Sequence, residues 1–352
     1  MPGNASTRLG ARAAAFVRHH FLWLLVASYV VAAAFPWPGI ALRSWEVESP
    51  AFPKASLASL LLLAVMLFIA ALLTELKELR IVSRHPFVLL LALAAVWVGP
   101  ALLVFVAGWL MPATIGGEST AGLLLGFALV ASMPVANSSV GWAQSAEGNL
   151  GLGLALVVVS ILLSPWIAPN LLRFFGSTLA ESAQNCEALV NQFSGLFFIV
   201  WVIIPTAAGF LCRLLIGRDL VENARPWLTM TSAAALLALN YLNSVLALPK
   251  AGHSPPSLLL ATVVLATALG VIGIFLGALI AWLLRLRPET RTALMFGLSM
   301  KHTGLALIVA ATVLSDEPLA IFMIAMATIM QHIVAGVVQW FIESGPNSAP
   351  AV

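Results

Sequence analysis

The chain has 352 residues, of which 61% are hydrophobic and only 9% charged, with 17 Lys and Arg against 14 Asp and Glu for a net charge of +3. Soluble domains carry about 25% charged residues, and a mean hydropathy of +1.02 leaves too little polar side chain to coat a soluble globule. The same numbers exclude disorder, and so small a net charge offers no basic face for nucleic acid. What remains is an all-α polytopic membrane protein in a lipid bilayer, because the apolar stretches run to roughly 20 residues, the length of a spanning helix rather than of a barrel strand.

In chain order, an N-terminal segment at 1–20 carries Arg8, Arg12 and Arg18. Apolar spans then fall at 21–41, 57–74, 86–111, 119–143, 149–172, 193–216, 227–248, 257–284, 291–314 and 317–341. The opening run, ending Ala32-Ala33-Ala34, also fits a signal peptide over residues 1–34. The polytopic context favours an ordinary first helix continuing to Leu42. The longest polar connectors, 42–56, 173–192 and 213–226, are too short to hold a soluble domain. Cys186 in a connector and Cys212 in a span are expected to be free thiols, and neither joins a metal-ligating cluster.

Lys and Arg orient the chain. Arg8, Arg12, Arg18, Lys77, Arg80, Arg84, Arg213, Arg218, Arg225, Arg285, Arg287 and Arg291 fall on the N-terminal side, against Arg43, Lys54, Arg173 and Lys250 opposite. The positive-inside rule then places both termini in the cytoplasm and the protein in the inner membrane. Five spans at 21–172 and five at 193–341 flank an extracytoplasmic connector at 173–192, and a cytoplasmic tail follows at 342–352. Five is odd, so two related halves would be inverted repeats, a common plan for secondary transporters with the site at the midplane.

The fourth and ninth spans are polar at their centres. The fourth reads Ser132-Met133-Pro134-Val135-Ala136-Asn137-Ser138-Ser139. Pro134 breaks the helix, and three consecutive polar residues, Asn137, Ser138 and Ser139, cannot share one helical face. The ninth holds Lys301, His302, Thr303 and Gly304, the last permitting a second break. Lys301 lies too far from either end to snorkel, and a charge at the bilayer centre costs about 2.5–3.5 kcal/mol. No Asp or Glu lies at that depth, so helix carbonyls or a bound anion must face it. Gln331 and His332 sit at similar depth in the tenth span. Two half-helix N-termini beside a lysine favour an anionic substrate such as a carboxylate.

At these residues the chain resembles the bile acid:sodium symporter family. Three elements carry the resemblance over about 57–341: Pro134 with its small polar stretch, then Ala146-Glu147-Gly148-Asn149-Leu150 and a span closed by Leu163-Ser164-Pro165-Trp166-Ile167-Ala168-Pro169; Arg291-Thr292-Ala293 leading to Met300-Lys301-His302-Thr303-Gly304-Leu305-Ala306; and Gly99-Pro100. It implies a ten-helix fold of inverted repeats with a panel and a core domain, the broken fourth and ninth helices crossing at the midplane. It also implies carriage of bile acids, pantoate, pyruvate or other carboxylates. The family's sodium ligands match Gly297, Lys301, Val140 and about Ala95, and only Ser139 keeps a suitable side chain. The expectation is therefore an organic-anion transporter, not an enzyme and without a cofactor. Lys301 would supply the charge that Na+ supplies in relatives, with H+ as another coupling ion. The alternatives are a sodium-dependent symporter, an intramembrane enzyme using Ser138 or Ser139 with Lys301 and His302, and a channel or sensor. Substrate identity, direction of transport and oligomeric state are not encoded in these features.

Overall fold

Prolines decide where several of the apolar runs turn. In a computed structural model of the chain, which describes residues 16–17, 20–49, 52–74, 86–115, 117–179, 183–194, 196–245, 248 and 254–344, the first run is not one helix. Helix α1 (Phe21–Ala34) ends at Phe35, and α2 (Pro36–Arg43) leaves it at 87°. The continuous helix expected to Leu42 is thus replaced by a bent pair. Pro36 opens the second helix, and the residue before a proline is pushed out of the helical region, as the Phe35 angles of φ −131° and ψ 68° record. The orienting charges Arg8, Arg12, Arg18, Lys77, Arg80, Arg84 and Lys250, and the end of the C-terminal tail, lie outside the described residues.

The connector at 42–56 is folded into a small antiparallel hairpin, β1 (Glu46–Ser49) with β2 (Phe52–Ser56), an element that polar composition did not announce. Helices α3 (Leu57–Leu73), α4 (Pro86–Ile115), α5 (Gly117–Ser132), α6 (Ser138–Ser145), α7 (Leu150–Thr178) and α8 (Ala183–Ser194) follow. Then come α9 (Leu196–Ile216), α10 (Arg218–Ser244), α11 (Pro256–Leu283), α12 (Pro288–Ser299), α13 (Thr303–Val313) and α14 (Pro318–Glu343). Every expected apolar stretch holds a helix or a broken pair. Five described helices are long and apolar enough to cross a membrane, six if α1 and α2 count as one bent span. The chain is a multi-pass, mostly helical membrane protein.

Two compact units divide these elements. Unit 1 draws on residues 1–74, 191–253 and 307–322, and within it α3 packs on α9 and α10. Gly209 is where α9 meets α3, and a Cβ there would run into the carbonyl of Phe68. A π turn at Ile199–Ile203 precedes Pro205 in α9, and Gly217, at φ 85°, makes the reversal into α10.

Unit 2 draws on residues 75–190, 254–306 and 323–352. Its centre is α5 and α12, whose apolar residues are buried all round, which is what a helix without a polar face requires. At Gly273 and Gly277 the backbone of α11 touches the backbone of α12, at Leu298–Ser299 and Leu294–Met295. Membrane helices have little hydrophobic drive to associate, so close approach at small residues carries the packing. Cys186 is buried on α8, where burial pushes its thiol up to about 11.

Candidate functional site at two paired helix breaks

Pro134 lacks an N–H and cannot continue α5, which ends at Ser132. The chain runs unwound from Met133 to Asn137 before α6 starts at Ser138. The break therefore takes in Asn137, the first residue of the polar triplet, while Ser138 and Ser139 are helical. The ninth stretch breaks between Ser299 and Thr303, so the expected break at Gly304 is corrected: Gly304 lies inside α13, and the unwound residues are Met300, Lys301 and His302. Among described glycines only Gly217 has positive φ, so Gly304 uses no special backbone freedom.

The two unwound segments solve each other's backbone problem. Val135 and Lys301 form an antiparallel bridge. The Ala136 N–H donates to the Met300 carbonyl at 3.0 Å, and the His302 N–H donates to the Pro134 carbonyl at 2.9 Å. The Val135 N–H donates to Ser160 Oγ on α7 at 3.0 Å. Non-helical backbone in an apolar interior is tolerated only when satisfied in this way.

Lys301 is 1% exposed. Its Nζ donates to the carbonyls of Val96, Ala131 (3.2 Å) and Met133 (3.1 Å). These account for all three donors of an ammonium. Each carbonyl is one that a helix would normally use four residues on. For Val96 that donor would come from residue 100, which is proline. For Ala131 it would come from Val135, whose N–H goes to Ser160 instead. Met133 lies in the break itself. The charge thus sits at the C-terminal, electronegative end of α5.

Polar residues of α14 brace this arrangement. Gln331 Oε1 accepts the Lys301 backbone N–H at 3.0 Å, and its Nε2 donates to Thr303 Oγ1 at 3.4 Å. His332 Nδ1 accepts from Trp142 Nε1 at 3.1 Å, and Trp142 stacks on Phe296 at 6.3 Å between centroids. His302 Nδ1 accepts the Leu305 N–H at 3.2 Å. An indole or amide N–H only donates, so both imidazoles carry their proton on Nε2.

Of the expected site residues, Lys301, His302, Thr303, Gln331 and His332 are brought together and buried. Asn137 and Ser138 are half-buried at the start of α6, and Asn137 makes no capping hydrogen bond with its side chain. Ser139 Oγ is buried with no hydrogen-bond partner among the described residues. Lys301 Nζ lies on carbonyls rather than on a serine hydroxyl, so the Ser–Lys nucleophile pair is not formed. Sequence reasoning missed Val96, Trp142 and Ser160; Pro100 was the available signal for Val96, since it orphans that carbonyl.

The family description "Sodium Bile acid symporter family" matches residues 60–253, more than half of the chain. The chain belongs to the sodium bile acid symporter family. The match takes in the first helix break but not Lys301 or Gln331. An uncharacterized Bacillus subtilis (strain 168) protein, YbaS, is 28% identical over 185 residues, covering 51% of this chain and 55% of YbaS. The chain thus spans about half the length of the curated relative it matches.

Proposed function

We propose that the chain is a secondary transporter of a small organic carboxylate in the inner membrane, with both termini cytoplasmic. Its ten transmembrane helices form two inverted five-helix repeats, 21–172 and 193–341. The paired breaks lie at the midplane, where Asn137, Ser138, Ser139, His302, Thr303, Gln331 and His332 line the substrate and ion path.

One observation carries the coupling part of this proposal: an ammonium held by three carbonyl oxygens. Carbonyl cages also suit sodium, a hard cation. Lys301 stands at the break as a tethered cation, at a position where relatives carry a neutral sodium ligand. Its N–H groups are all engaged, so it acts as fixed charge that favours the anion and not as a direct substrate ligand. Transport then needs no sodium of the usual kind.

Proteoliposomes loaded by a sodium gradient or by a proton gradient test this. Saturable uptake of a labelled carboxylate without sodium, abolished by Lys301→Met in folded protein, is the expected result. A strict sodium requirement overturns it. A sodium-dependent symporter of the same fold is the second candidate, because Ser139 Oγ is a buried oxygen with no partner among the described residues.

A further inference from the structure

A carrier accumulates its substrate only if something else moves with it. A coupling ion must enter a site from one face and leave it at the other, and it shifts an equilibrium only by binding the two states differently. The interior therefore has to offer a group able to take up and release that ion.

The described residues offer none. No Asp or Glu among them is buried, and no three of their His, Cys, Asp or Glu side chains gather to hold a metal ion. The buried cationic or imidazole side chains are Arg213, Lys301, His302 and His332. Arg213 Nη2 lies on Glu222 at 3.4 Å. Each imidazole already receives an N–H on Nδ1, from Leu305 for His302 and from Trp142 for His332, so neither adds a proton there without breaking that bond. Ser139 Oγ is a single buried oxygen, whereas a hard cation takes several. Oxygens do converge at the carbonyls of Val96, Ala131 and Met133, but Lys301 Nζ already occupies their centre. An ammonium has three N–H groups and uses all three here. A neutral amine has two, so loss of the proton leaves one of the three carbonyls without a donor. The cation is also covalently attached, so it can neither arrive from one side nor leave to the other.

We propose that the chain is an uncoupled carrier, in which the carboxylate crosses alone with its charge. The proposal rests on the reading that the chain transports carboxylates and adds the driving force. A fixed ammonium lowers the cost of bringing an anion into the membrane from either face and draws no free energy from an ion gradient. The membrane potential then sets the direction. At ~2.3 kcal/mol per elementary charge per 100 mV, each ~60 mV corresponds to about tenfold in anion concentration. In a cell with a negative interior and equal concentrations on the two sides, net movement is outward, so the chain works as an exporter.

The full chain in liposomes tests this, with labelled pyruvate and labelled pantoate as probes, the potential clamped by potassium and valinomycin, and protein-free liposomes subtracted. With the interior positive, a transported probe should accumulate about tenfold for each ~60 mV. At zero potential it should enter only to the outside concentration, whether or not an inward sodium or proton gradient is imposed. Accumulation at zero potential under either gradient overturns the proposal and leaves transport standing. Entry of neither probe under any condition overturns the transport reading and this proposal with it. A second measurement needs no substrate. Unfolding midpoints of the purified chain in sodium, potassium and choline chloride at equal ionic strength should agree. A saturable rise specific to sodium reveals an ion site that Lys301 does not fill and overturns the proposal.

Discussion

Pro100 and Lys301 complete each other across two elements of unit 2. The proline, by lacking an N–H, frees the Val96 carbonyl in α4, and the lysine ammonium takes it up. With Ala131 and Met133, freed at the Pro134 break, this turns a buried charge into a satisfied one.

A double-mutant cycle measures that link. Lys301→Met leaves three carbonyls without a donor, at about 1–3 kcal/mol each. Pro100→Ala restores a backbone N–H four residues after Val96, so it should recover about 1 kcal/mol in the Lys301→Met background and little or nothing in wild type. Unfolding midpoints in detergent report all four proteins. Strictly additive effects show that the two residues are not linked.

Ser160 holds the first break from the α7 side by accepting the Val135 N–H and donating to the Val157 carbonyl. Ser160→Ala orphans a buried amide and should cost about 1–3 kcal/mol, whereas Ser160→Thr keeps a hydroxyl and should cost less. A thermal melt in which both variants match wild type rules out this role.

The α11 glycines should differ sharply in tolerance. At Gly273 an added Cβ meets the backbone of Leu298 and Ser299, which cannot yield. At Gly270 it meets only the Val334 side chain, at 3.4 Å. Gly273→Ala should therefore destabilise by about 3 kcal/mol or more and Gly270→Ala by less than about 1 kcal/mol. Yields of folded protein by size-exclusion chromatography and unfolding midpoints check the order.

Glu222 gives a pH-dependent contribution outside the spans. Its hydrogen bonds from Arg225, at 2.7 and 2.9 Å, with a weaker one from Arg213 at 3.4 Å, hold its carboxyl below the ordinary 4.5. A carboxyl lowered in the folded state binds fewer protons there than in the unfolded chain. Its stabilisation is complete above pH 4.5 and is lost as the pH falls below that value through its lower folded pKa. Glu222→Gln should remove this part of the acid dependence and leave stability near neutral pH only slightly reduced, since the pair is partly exposed. An identical acid profile in the variant shows the ion pair to be inert.

Apolar run length located the helices because hydropathy over roughly 20 residues is a local property. It did not foresee the 87° bend, although Pro36 was in view, because a proline limits only its neighbours' angles and packing chooses the exit direction. The second break shows the same limit. Gly304 was the residue with conformational freedom, yet the chain unwinds at Met300–His302. That is where its amides and carbonyls find partners on the Pro134 segment, and pairing outweighs local propensity.

Composition alone made this a polytopic membrane protein, and charge position alone singled out Lys301, since a lone charge among apolar residues is costly wherever the chain folds. Which groups answer that charge was a tertiary matter. Val96 is 205 residues away in sequence and Ala131 is 170, and only the folded chain brings the three orphaned carbonyls to one nitrogen. The amide nitrogens of Asn240 and Asn243, buried with no partner among the described residues, belong to the same class. An asparagine in a helix announces nothing by itself, and its demand for a partner exists only once packing has removed the water.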